Sequence, residues 1–61
     1  MNANYDNLPL LLTVEEMQKV LRIGRNAAYQ LVKDGSIQTI RIGRSIRIPR
    51  KALIQLVERA Q

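Results

Sequence analysis

The chain contains no cysteine, histidine, tryptophan or phenylalanine. Without cysteine or histidine there is no disulfide scaffold, no zinc finger and no nucleophilic or acid/base site built on a thiol or an imidazole. The missing large aromatics leave Tyr5 and Tyr29 as the only rings. Two rings are too few for the stacked platforms on which single-stranded nucleic acid is held. Acidic residues are sparse and dispersed at Asp6, Glu15, Glu16, Asp34 and Glu58. The adjacent Glu15 and Glu16 would point about 100° apart on a helix, so neither a carboxylate metal site nor a carboxylate pair is readable. The longest apolar run, Leu10 to Leu12, falls far short of the roughly 18 residues that a membrane span needs, and the N-terminus carries no basic stretch of the signal-peptide kind. These absences predict a cytoplasmic chain with no enzymatic activity, cofactor, metal, membrane or small-molecule substrate.

What remains is short, apolar and basic. Sixty-one residues allow one module, which buries roughly 60% of the surface its unfolded chain exposes. Residues of the hydrophobic class make up 46% of the chain, nearly all of them Leu, Ile, Val and Ala, a composition that favours folding over disorder. Ten Lys and Arg against five Asp and Glu give a net charge of +5, so the module should attract polyanions.

The order of apolar residues predicts an α+β fold with two short helices, a two-stranded β-hairpin and a C-terminal helix. Residues 1–9 read as a flexible N-terminal tail and 10–61 as the folded domain. Thr13 followed by Glu16 forms a capping-box pattern that starts a helix, whose inward stripe is Val14, Met17, Val20 and Leu21. Arg22-Ile23-Gly24 ends it, with Gly24 expected to supply the left-handed turn residue. A second helix from about Arg25 to Asp34, stopped by Gly35, turns Ala28, Leu31 and Val32 inward and Asn26, Gln30 and Lys33 outward. From Ile37 the period becomes alternating, and placing Ile40, Ile42, Ile46 and Ile48 on one face requires an odd number of loop residues, which Gly43-Arg44-Ser45 supplies. That register sets Arg41 directly opposite Arg47. Pro49 ends the hairpin, and a last helix over about Arg50 to Ala60 buries Leu53, Leu56, Val57 and Ala60, with Ile54 off the stripe.

Two helices joined by a tight turn and followed by a hairpin describe a helix-turn-helix with a wing. The runs Leu12-Thr13-Val14-Glu15-Glu16, Leu21-Arg22-Ile23-Gly24-Arg25, Ala28-Tyr29-Gln30-Leu31-Val32, Gly35-Ser36-Ile37, Ile42-Gly43-Arg44 and Ile48-Pro49-Arg50 occur in that order. The series resembles the small excisionase-type winged helix-turn-helix domains, relatives of the MerR DNA-binding domain, over most of residues 10 to 60. The resemblance implies a DNA-binding fold whose second helix enters the major groove while the wing reaches backbone or minor groove. It also implies a setting in a phage or mobile element, beside a recombinase or integrase, or alternatively a small transcription regulator. Many relatives open the second helix with Ser-Arg-Ser-Thr and place a basic residue after the Tyr; this chain has Gly24-Arg25-Asn26-Ala27 and Gln30 instead.

The candidate recognition-helix residues are Arg25, Asn26, Tyr29, Gln30 and Lys33, and the candidate wing residues are Arg41, Arg44 and Arg47. Asn26 and Gln30 carry amides able to pair bidentately with adenine, or are simply solvated. Arg25 at a helix start suits a phosphate, and Tyr29 can donate its hydroxyl to one or merely pack. Arg41 and Arg47, with Arg44 at the tip, suit a polyanion or guard an edge strand against aggregation. The expected partner is double-stranded DNA, joined by a recombinase or by neighbouring copies on the DNA, with nucleoid association following from that. A basic module binding an acidic protein is the alternative from another class.

Overall fold

The computed structural model describes residues 7–60. Helix α1 (Val14–Leu21) starts where the Thr13/Glu16 spacing predicts. Thr13 Oγ1 accepts from the Glu16 amide at 3.0 Å, and Glu16 Oε1 accepts from the Thr13 amide at 2.9 Å. Two donors that a helix start leaves unpaired are thereby satisfied reciprocally. Val14 and Met17 are buried, Leu21 is half-buried, and Val20 is exposed at the margin of the stripe.

The turn after α1 differs from expectation. Arg22, not Gly24, takes the left-handed conformation, at φ 57° and ψ 47°. Its amide donates to the carbonyls of Gln18 and Lys19, and the Ile23 amide reaches the Gln18 carbonyl at 3.2 Å. This bonding pattern requires the left-handed residue immediately after the helix, which is position 22. Gly24 is extended (φ −72°, ψ 164°) and leads into helix α2 (Arg25–Lys33) without a side-chain cap. Gly35, at φ +79°, turns the chain away after α2 as its position predicts.

Strand β2 (Ile40–Ile42) and strand β3 (Ser45–Pro49) form the hairpin. Their register corrects the expected one: Ile42 pairs with Ser45, Arg41 with Ile46, and Ile40 with Arg47. The loop is the two residues Gly43-Arg44, and Gly43 in its first position has φ +60°. A leading glycine with positive φ suits a two-residue turn whose twist matches the flanking strands. One residue fewer in the loop reverses the relative parity of the two strands. Ile46 and Ile48 therefore face the core, while Ile40 and Ile42 share the other face with Arg47 and are 39% and 56% exposed. Arg41 no longer opposes Arg47.

The sheet also has a third strand beyond the expected pair. Strand β1 (Leu11–Leu12) pairs antiparallel with β3, giving the order β1-β3-β2 with β3 central. Helix α3 (Arg50–Arg59) follows Pro49 directly. The Arg50 amide donates to the Leu10 carbonyl at 2.8 Å and its guanidinium to the Leu8 carbonyl at 2.9 Å, so Leu8 is held where its side chain packs on the core. The rest of the expected tail, residues 1–6, lies outside the described residues. The core is completed by Leu12, Met17, Ile48 and Leu53, all fully buried, with Val14, Ala28, Ile37 and Ala52 around them. Ala52 replaces Ala60 in the inward face of α3: Ala60 is exposed, and Leu56, Val57 and Ile54 are half-buried.

At the far end, the Arg59 guanidinium donates to the Ser36 carbonyl at 2.9 Å, tying the end of α3 to the loop after α2. The Ser36 amide donates to the Asp34 carboxylate at 2.9 Å. No helix among the described residues is long and apolar enough to cross a membrane.

Candidate nucleic-acid interface

Helix α2 meets the core along a narrow line. Ala28 is buried, Leu31 and Val32 are half-buried, and the other six residues are exposed. Asn26, Gln30 and Lys33 fall together on the outward side, which offers amide donors and acceptors and one ammonium to a ligand. On the flank, the Arg25 guanidinium lies over the Tyr29 ring at 5.7 Å from its centroid. That distance allows a cation–π contact, which restrains two long side chains one helical turn apart.

The same flank faces the hairpin. The first turns of α1 and α2 and the tip of the wing enclose an open cleft of about 510 Å3. Arg25 and Tyr29 line it from α2, Arg44 and Arg47 from the hairpin, and Thr13, Glu15 and Gln18 from the start of α1. Four of the eight residues singled out in the sequence thus meet in one place. Arg47 is half-buried, and its Nη1 donates to the Ile46 carbonyl at 3.0 Å, which leaves the other donors of its planar fork available. Arg41 is exposed, does not line the cleft, and sits on the opposite face of the hairpin from Arg47. The expected opposition of Arg41 and Arg47 is therefore replaced by a placement on two faces of the hairpin.

Three guanidiniums and a phenol around an open cleft can accept an oxyanion such as a phosphate, since each guanidinium presents parallel N–H donors. Among the described residues Glu15 is the one acidic residue in the lining. Its place there was not legible beforehand, because within α1 it stands on the polar side four residues before Lys19, an order that favours a local charge pair. Only the approach of the wing to the start of α1 brings it among the arginines. The Asp34 carboxyl, remote from the cleft lining, is held below its usual value of 3.8 by the hydrogen bonds from Ser36. Among the described residues no group of three or more Asp, Glu, His or Cys could hold a metal ion.

A pair of helices across a tight turn, a hairpin wing and a third helix closing the core make this a small α+β winged helix-turn-helix protein. The chain belongs to the helix-turn-helix domain family, whose model matches residues 11–61. It is similar to a protein named "Probable excisionase" from Saccharopolyspora erythraea, at 54% identity over 44 residues, covering 72% of this chain and 45% of the relative. It is also similar to a protein named "Putative DNA-binding protein" from Mycobacterium tuberculosis, at 38% identity over 48 residues, covering 79% of this chain and 62% of the relative. The chain therefore spans about half the length of one curated relative and somewhat more of the other. No solved structure matches it significantly.

Proposed function

We propose that this chain is a sequence-selective, non-catalytic double-stranded DNA-binding module with an excisionase-like role. The observation that carries the reading is the arrangement on α2. Its outward side bears Asn26, Gln30 and Lys33, and its flank joins the cleft where Arg25, Tyr29, Arg44 and Arg47 meet. An amide-rich helix face beside a cationic cleft fits base edges in a major groove next to a backbone phosphate. Asn26 and Gln30 read bases, Lys33 follows the groove, and Arg25, Tyr29, Arg44 and Arg47 hold phosphate. Arg41 meets backbone from the other face of the wing. The names of the relatives, one an excisionase and one a DNA-binding protein, support the same reading.

A single nine-residue helix contacts few base pairs, so useful selectivity requires company on the DNA, either neighbouring copies or a recombinase. The reading is tested by selecting bound duplexes from a random-sequence pool and sequencing them, with wild type and Gln30→Ala in parallel. Wild type should enrich a motif that Gln30→Ala relaxes at one or two positions while retaining most of its affinity for unselected duplex. Salt-dependent binding with no enriched motif would reject base readout by α2, and absence of duplex binding would redirect the assignment to an acidic protein partner.

A further inference from the structure

Glu15 stands in the cleft with three arginines, at the place where the proposed function seats a phosphate. We propose that Glu15 is an anionic brake on the interface, restraining sequence-independent phosphate binding by Arg25, Arg44 and Arg47. The inference rests on the DNA-binding reading and deepens it by giving that surface a repulsive element as well as attractive ones.

Glu15 is exposed in the first turn of α1 and lines the cleft alongside Gln18 and the arginines. A phosphate entering the cleft meets three positive groups and one negative group, so part of the attraction is cancelled wherever that phosphate sits. The cancellation falls on every DNA sequence alike, because backbone phosphates carry no sequence information. Selectivity is a difference of affinities, and it gains when the indiscriminate contribution is held down while base contacts are kept.

The neighbouring Glu16 supplies a matched comparison. It occupies the same helical turn, but its carboxylate is engaged with the Thr13 amide and it does not line the cleft. Glutamine fills the same capping role, so Glu16→Gln keeps the helix start. Glu15→Gln and Glu16→Gln each raise the net charge by one and each remove one first-turn acid from the dipole of α1. A difference between them reports position relative to the cleft, not overall charge.

The experiment measures affinity for a random-sequence duplex by fluorescence anisotropy at about 0.1 M salt, where screening is effective beyond about 10 Å. Glu15→Gln should bind about three- to fivefold tighter than wild type, and Glu16→Gln less than about twofold tighter. Glu15→Ala should move in the same direction as Glu15→Gln, and circular dichroism confirms that each variant is folded. Equal gains for the two glutamine variants would overturn the inference, as would weaker binding by Glu15→Gln, which would make Glu15 a contact instead of a brake. If wild type and all variants fail to bind duplex DNA, the DNA-binding reading itself falls and the inference falls with it.

Discussion

Arg22 carries a backbone conformation that non-glycine residues avoid, because in the left-handed region Cβ crowds the following carbonyl at a cost of roughly 1–2 kcal/mol. The hydrogen bonds from the Arg22 and Ile23 amides to the last turn of α1 offset that strain. Arg22→Gly should therefore stabilise the domain by about 0.5–1 kcal/mol, the relief being partly cancelled by the greater freedom of glycine in the unfolded chain. Chemical denaturation of the two proteins checks it. Asp34 makes a second prediction. Its folded pKa lies below 3.8 because Ser36 hydrogen-bonds the ionised form. The unfolded chain thus takes up this proton first on acidification. The stabilisation is present above the unfolded value and disappears as pH falls through the lower folded value. Denaturation midpoints from about pH 5 to about pH 2 should fall for wild type, and Asp34→Ala should show a shallower fall with a lower starting midpoint.

Among the elements, the hairpin separates what local pattern encodes from what packing decides. The Thr13/Glu16 box, the α2 stripe around Ala28 and the stop at Gly35 were all legible, because each depends on residues within a turn or two of one another. The hairpin register was not. Alternation shows that Ile40, Ile42, Ile46 and Ile48 lie in strands, but only the loop length relates one strand to the other, and assigning all four to the core forces the wrong loop. Strand β1 was also illegible, since two residues carry no period and Leu11–Leu12 becomes a strand only by pairing with β3. The observed register makes a direct prediction. Ile48→Val should destabilise by about 0.5–1.5 kcal/mol, as expected where a methyl group is lost from a filled core, while Ile42→Val should be within about 0.5 kcal/mol of wild type. Equal losses at the two positions would restore the register with all four isoleucines inside.

At the scale of the molecule, the short core organises a surface in which charge and hydrogen-bonding capacity converge. The basic composition announced a polyanion partner, and helical periodicity separated Asn26, Gln30 and Lys33 from the buried side of α2. The meeting of Arg25 and Tyr29 with Arg44 and Arg47 was not visible in the same way, because about twenty residues separate the two pairs and only the packing of the wing beside the two helix starts closes that distance. The split of Arg41 from Arg47 is equally a product of the tertiary register. If the cleft is where backbone phosphate is held, its arginines must dominate the salt dependence of DNA binding. The most direct measurement is duplex affinity across a range of salt concentrations for wild type, Arg44→Ala plus Arg47→Ala, and Arg41→Ala. The account predicts that the double variant flattens the slope of log affinity against log salt by nearly two units, at about 0.9 per lost phosphate contact, and that Arg41→Ala flattens it by no more than about one. An unchanged slope in the double variant would contradict the assignment of the cleft to phosphate.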